Sequence, residues 1–103
     1  MFPVKEFIKR FEGILAELDA LSEVCEGEAF TDLDDLNAEL EDAIMLMGEI
    51  KPDEEDWQEE MTDALEELRA LAGDYRGLEA RVPELRELAS QLEMAANMAL
   101  GNL

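Results

Sequence analysis

The sequence contains no histidine, one cysteine (Cys25) and two serines, Ser22 and Ser90. The imidazole that usually activates a serine or cysteine nucleophile is therefore missing. The Glu-x-x-His ligand pattern of di-iron bundles cannot form either. Carboxylates are abundant, but we expect them on solvated helix faces, without the apolar pocket that separates the pKa values of a catalytic pair. The sequence thus favours a protein that is not an enzyme and uses no cofactor or metal ion.

Long apolar runs are also missing. The longest, Ala43 to Met47, is far too short to span a bilayer. Charges interrupt positions 2–25 every few residues, which is not typical of a secretory signal peptide. A lone cysteine forms no internal disulfide, which fits a reducing compartment. We therefore expect no membrane association and a cytoplasmic location.

Basic residues are scarce: eight Lys and Arg stand against 28 Asp and Glu, so the 103-residue chain carries a net charge of −20. Direct binding to nucleic acid or to an anionic membrane needs basic patches, so we expect neither. Because 48% of the residues are hydrophobic, the chain is not a disordered acidic tail. A basic protein surface is the natural complement.

The negative charge is concentrated in the middle of the chain. Residues 12–60 hold 19 acids and a single base, Lys51, so they carry −18 of the net −20. Residues 1–11 carry +2 and residues 61–103 carry −4. A charge that served solubility alone has no reason to concentrate in this way.

Apolar and small residues in the C-terminal half step by four and three without a slip, which is typical of a helix that packs along one seam. The series is Trp57, Met61, Ala64, Leu68, Leu71, Tyr75, Leu78, Val82, Leu85, Ala89, Leu92, Ala96 and Ala99. Similar spacing predicts a first helix over residues 3–25. Gly27 is predicted at the C′ position, just after the end of this helix. A second helix is predicted from Thr31, an N-cap that Phe30 would staple, to the region of Gly48. A third is predicted to begin at Pro52.

Three helix-weakening residues, Gly73, Gly77 and Pro83, fall within the long seam. Together they cost a helix roughly 5 kcal/mol relative to alanine. A continuous helix over 53–100 would be about 72 Å long and would expose half its seam unless a second copy covered it. We therefore predict one all-α domain over 1–103, an antiparallel helical bundle of three to four helices with a kink or reversal between Gly73 and Pro83. A homodimer built on the continuous helix is the alternative.

An acidic stripe on the second helix is the first candidate binding feature. It comprises Asp32, Asp35, Glu39 and Asp42, and nearby acids extend it: Asp53, Glu55, Asp56, Glu59 and Glu60. Like charges three and four residues apart destabilise a helix by a few tenths of a kcal/mol per pair. A function that needs the charge explains why they are tolerated, and so does adaptation for solubility or high salt.

The apolar run from Ile44 to Met47 is the second candidate feature, since it is too wide for one helix face. Met45 and Leu46 lie off the predicted seam, and Met94 and Met98 add to a methionine-rich set. Methionine fills irregular cores, and it also lines adaptable binding grooves.

Two functional hypotheses follow, and no family motif stands behind either. In the first, the chain is a non-enzymatic interaction module, an acidic inhibitor that mimics nucleic acid and occupies a basic surface of a nucleic-acid-handling protein. In the second, it is a structural or chaperone-like adaptor that holds a partner helix in an apolar, Met-rich groove. Added salt should collapse the binding of the first kind and leave the second intact.

Overall fold

Four amphipathic segments of the chain fold as helices in the computed structural model, which describes residues 2–103. They are α1 (Val4–Glu23), α2 (Gly27–Glu49), α3 (Trp57–Arg76) and α4 (Leu85–Gly101). No strand occurs among the residues described. The all-α fold predicted from the sequence is confirmed, with four helices.

Each helix packs against two neighbours, in the order α1–α2–α3–α4 and back to α1. In the described part of the chain, the diagonal pairs α1–α3 and α2–α4 do not pack directly. The links between helices are short, and short links place successive helices antiparallel. The result is a four-helix antiparallel bundle with extents of 45 × 20 × 18 Å.

The apolar stripes of the four helices meet along the bundle axis. Each stripe recurs at three- and four-residue steps, so one face of every helix is buried. The largest fully buried side chains are Phe11, Leu18, Leu33, Leu40, Met47, Met61, Leu65, Leu68, Tyr75, Leu85 and Leu92. Burying one side chain of this size stabilises the fold by about 1.5–3 kcal/mol. The buried stripes therefore fix the orientation of each helix about its own axis.

The chain reverses direction between Gly77 and Glu84, which confirms the predicted break and excludes a continuous helix over 53–100. Successive turns keep the apolar seam facing the core through the reversal. The Val82 N–H donates to the Leu78 carbonyl over 2.9 Å, and Val82 is buried. The heptad phase therefore runs unbroken through a connection that is not a helix.

The predicted start of the second helix at Thr31 is wrong. The placement of Gly27 at the end of the first helix is wrong as well, because α1 ends at Glu23 and Gly27 is the first residue of α2. Its φ of 64° lets the chain turn directly into α2. The Thr31 hydroxyl lies inside α2 and donates to the Gly27 carbonyl over 3.3 Å, a backward bond common for threonine within helices. Phe30 lies inside α2 and is 40% exposed, so it does not form the predicted hydrophobic staple.

The predicted start of the third helix at Pro52 is also wrong. Residues 51–56 form turns, and α3 begins at Trp57. Trp57 is half-buried, and its ring centroid lies 6.1 Å from that of Phe2, which in turn stacks on Phe7 at 5.3 Å. Aromatic pairs at such distances attract each other beyond the area that they bury. This cluster closes the end of the bundle where α1 and α3 begin.

Candidate partner-binding surface

The four acids of the predicted stripe lie along one flank of α2. The core side of this helix is fixed by Leu33, Leu40 and Met47, which are fully buried. The acids follow at steps of three and four residues: Asp32, Asp35, Glu39 and Asp42. At 1.5 Å per residue the stripe is about 15 Å long.

A second row of acids lies on α3, across the groove that α3 forms with α2. We call the acids that line this groove the acidic face: Asp32, Asp35, Asp42 and Glu49 of α2, Glu54 of the link, and Glu60, Asp63, Glu67 and Asp74 of α3. Glu39 lies on the same flank of α2 as three of them. Within residues 2–103, no Lys or Arg lines the hollows that make up this groove.

The basic side chains of α3 lie on its other flank, toward α4. Arg76 pairs with Glu93 of α4, with Nη2 and Oε2 2.6 Å apart. Arg69 donates to Asn97 Oδ1 of α4 over 3.4 Å. The two flanks of α3 therefore carry opposite charge, with acids toward α2 and arginines toward α4.

One arginine reaches the end of the acidic face. Arg81 Nη2 lies 2.8 Å from Asp32 Oδ2 in an ion pair whose side chains are 44% and 46% exposed. A pair this exposed contributes about 0–1 kcal/mol to stability, but it neutralises the terminal acid. Among the residues described, neither Asp35 nor Asp42 forms an ion pair.

Met45 and Leu46 lie within the acidic face, where they are 56% and 44% exposed. Leu46 and Glu49 line two adjacent hollows of the groove, and Met45 lines one of them. Their neighbour Met47 is buried in the core. The apolar run is thus divided, with Met47 in the core and Met45 and Leu46 on the surface.

The methionine-rich set predicted from the sequence forms two surfaces rather than one. Met94 and Met98 line a hollow between α1 and α4, beside Arg10 and Gly13. α4 is diagonal to α2 in the bundle, so these methionines lie away from Met45. Arg10 Nη1 contacts the Met98 sulfur at 3.4 Å.

The other predicted acids gather less closely. Glu60 lines the groove, whereas Asp53, Glu55, Asp56 and Glu59 are exposed in the α2–α3 link and the first turn of α3 without lining it. They extend the negative charge beyond one end of the acidic face, because the link joins the two helices that form the groove.

Three acids of the α3 row, Asp63, Glu67 and Asp74, are not among those predicted from the sequence. Glu60, Asp63, Glu67 and Asp74 are separated by three, four and seven residues, which places them on one flank of a helix. The spacing was available in the sequence. That this flank faces the acidic flank of α2 depends on the packing of the two helices.

A hydrogen-bonded network with a buried Tyr75–Asn37 bond joins α3 to α2 and continues to the exposed Asp19 of α1. The Tyr75 hydroxyl donates to Asn37 Oδ1 over 2.8 Å, and Asn37 Nδ2 donates to Asp19 Oδ1 over 3.2 Å. Burial, and then the negative charges of Asp19 and Glu39, raise the pKa of the Tyr75 phenol well above its ordinary value. Tyr75 is therefore a neutral donor that ties α3 to α2.

None of the helices described for residues 2–103 combines the length and the apolar character needed to cross a bilayer. Over the same range, no three Cys, Asp or Glu side chains come together as a group that could hold a metal ion. Comparison of the chain with models of protein families, with curated protein sequences and with solved structures finds no match.

Proposed function

We propose that this protein is a non-enzymatic, cytoplasmic inhibitor whose acidic face mimics nucleic acid and occupies a basic surface of a nucleic-acid-handling protein. One observation carries the proposal. Two rows of carboxylates, one from α2 and one from α3, flank a groove whose lining in residues 2–103 includes no basic residue.

The spacing of the charges suits this role. Along α2 the carboxylates recur about every 5 Å of helix axis, and one strand of B-DNA presents a charge about every 3.4 Å. Adjacent helix axes lie about 8–10 Å apart, a separation between the widths of about 6 and 12 Å of the two grooves of B-DNA. A cationic cleft built for two phosphate strands would meet two rows of negative charge.

The segregation of charge on α3 favours this function over general solubility. Solubility requires a net charge but does not require acids on one flank of a helix and arginines on the other. Clustering raises the local potential and speeds the encounter with a cationic partner, at a rate that falls with added salt. The repulsion within the α2 stripe costs a few tenths of a kcal/mol per pair, which a 103-residue fold can tolerate.

The test compares two triple variants with the same change in net charge. The first, Asp35→Asn with Glu39→Gln and Asp42→Asn, neutralises the α2 stripe. The matched control carries Gln at three acids that line the α1–α4 side: Glu17, Glu84 and Glu87. Each protein is immobilised and used to capture proteins from a cell lysate, at low and high salt, followed by elution with duplex DNA.

We expect the native chain and the control to capture a nucleic-acid-binding protein that DNA displaces and that high salt releases. The stripe variant should lose most of this capture. If the stripe variant retains the partner at full yield, or if DNA displaces nothing, the acidic face does not act as a nucleic-acid mimic.

A second candidate, a structural or chaperone-like adaptor, is favoured by the exposure of the methionine-rich set: Met45 and Leu46 are 56% and 44% exposed, and Met94 and Met98 are 64% and 49% exposed. Flexible methionines suit a groove that adapts to a partner helix. The partner of an adaptor should remain bound at high salt, should not be displaced by DNA, and should not be captured by Met45→Gln/Leu46→Gln. The same exposed side chains suit self-association, and light scattering of the pure protein tests this remaining proposal, a homodimer.

A further inference from the structure

We infer that the partner presents a basic amphipathic α-helix, which lies in the α2–α3 groove with its apolar residues on Met45 and Leu46. The inference rests on the proposed function for the basic character of the partner. It adds the secondary structure of the contacting element and the point on which that element is anchored.

The anchor is an apolar centre inside an acidic surround. Met45 and Leu46 are 56% and 44% exposed. Asp42 and Glu49 of α2 and Glu67 of α3 line the same hollow. A partner that contributed charge alone would leave both apolar side chains in water. A complementary partner has apolar side chains at its centre and Lys or Arg around them, which reach the carboxylates on both sides of the groove.

The walls of the groove favour a helical partner over an extended one. Backbone N–H and C=O groups in the interior of α2 and α3 are bonded within each helix, so the groove offers no edge to which an extended peptide could add as a strand. A helix satisfies its own backbone. It can pack its side-chain ridges into the groove between two others and anchor itself through residues at i, i+3, i+4 and i+7.

Two glycines, Gly73 near the end of α3 and Gly77 just after it, widen one end of the groove. Gly73 and Gly77 line its far hollow, beside Asp35, and a Cβ added at Gly73 would meet no atom within 4 Å. A helix with its side chains is about 10–12 Å across, and basic helices of this size also enter the major groove of DNA, which is about 12 Å wide. A basic helix that enters the duplex is therefore the class of element for which the acidic face would compete.

The probe is a labelled Leu/Lys peptide of about 18 residues, or five helical turns, with its leucines on one face. A scrambled peptide of identical composition distributes the leucines around the helix. Binding is followed by fluorescence anisotropy at low and high salt. The apolar variant is Met45→Gln/Leu46→Gln. Its matched control, Met94→Gln/Met98→Gln, changes two methionines of similar exposure, 64% and 49%, on the α1–α4 side.

We expect the amphipathic peptide to bind more tightly than the scrambled one. The apolar variant should weaken it about tenfold at both salt concentrations, while the control leaves it unchanged. The stripe variant should instead reduce the salt dependence of binding. Thermal unfolding by circular dichroism checks that each variant is folded, which we expect because all four substituted side chains are exposed.

Equal affinity for the two peptides, or an equal loss of affinity in the Met45/Leu46 and Met94/Met98 variants, would overturn the inference. So would a dimer of the native chain that Met45→Gln/Leu46→Gln dissolves, because the groove would then hold a second copy. If DNA-displaceable capture persists in the apolar variant, the inference fails and the proposed function stands. If the peptide binds as expected but DNA displaces no captured partner, the proposed function fails and the helix-binding groove stands.

Discussion

The Tyr75 hydroxyl donates a hydrogen bond to Asn37 Oδ1 over 2.8 Å, inside the core between α3 and α2. Asn37 in turn donates to Asp19 of α1 over 3.2 Å, so one network joins three helices. Tyr75 and Asn37 are both buried, and a buried polar group without a partner is costly. Sliding α2 against α3 would break this bond, so the bond helps to align the two acidic rows of the groove.

Removal of the Tyr75 hydroxyl tests that network. Tyr75→Phe should lower the free energy of unfolding by about 1–3 kcal/mol, because Asn37 Oδ1 is left buried and unpaired. Asn37→Leu should also destabilise the fold. The double variant should cost less than the sum of the two, since neither polar group then remains to be satisfied. Urea unfolding of all four proteins measures the coupling, and strictly additive costs would show that the bond contributes nothing.

The raised pKa of Tyr75 predicts how stability depends on alkaline pH. Burial is the main cause, followed by the charges of Asp19 and Glu39. The folded state holds the phenol neutral. The contribution of this phenol to the free energy of unfolding is therefore fully present below its unfolded pKa of about 10. It is lost as pH rises above that value. Tyr75→Phe should therefore lose stability less steeply above pH 10 than the native chain.

Tyr75 is the single tyrosine of the chain, so tyrosinate absorbance reports it directly. We expect the absorbance to stay low in the folded protein above pH 10 and to appear together with the loss of helical circular dichroism. A gradual titration centred near pH 10 in a protein that is still fully helical would contradict the burial of this phenol.

The architecture was predictable because the apolar period is regular. The seam from Met61 to Ala99 keeps its phase, and the coincidence of Gly73, Gly77 and Pro83 marks where the helix must end. Helix starts were less predictable. Thr31 has the side chain of an N-cap, yet the four residues before it, Gly27–Phe30, add another turn of helix, and tertiary context overrides such local preferences.

Of the candidate surface, the α2 row of acids was predictable from the sequence, whereas its pairing with the α3 row was not. Period and charge identify the α2 stripe, but a single helix pattern does not say which neighbour each flank faces. Asn37 shows the same limit. Its position, four residues after Leu33 and three before Leu40, lies on the buried side of α2, but only the packing of α3 shows that Tyr75 is its hydrogen-bond partner.

Two exposed glycines should respond to alanine in opposite ways. Gly73 lies within α3, and a Cβ added there meets no atom within 4 Å. Gly73→Ala should therefore raise the free energy of unfolding by about 0.5–1 kcal/mol, through helix propensity. Gly27 has a φ of 64°, which costs an alanine about 1–2 kcal/mol. Gly27→Ala should therefore destabilise the fold. Thermal unfolding of both variants checks the pair, and a gain at Gly27 would contradict the described start of α2.

Neutralising the α2 stripe should stabilise the fold, independently of its effect on binding. Asp35, Glu39 and Asp42 are three and four residues apart in the interior of α2, where they gain nothing from the helix dipole. The stripe variant relieves their repulsion, worth a few tenths of a kcal/mol per pair. Its melting temperature at low salt should exceed that of the native chain, and the difference should shrink as salt screens the native repulsion.

The control triple should shift stability the other way, although its charge change is the same. Glu84 is the N-cap of α4 and Glu87 lies in the first turn, where negative charge stabilises a helix by about 0.3–1 kcal/mol at low salt. Substituting Gln at both, with Glu17→Gln, should therefore lower the melting temperature. If both triples shift the melting temperature in the same direction, net charge rather than its placement governs the stability of this bundle. Loss of partner capture in the stripe variant alone, despite its firmer fold, would tie the capture to the acidic face.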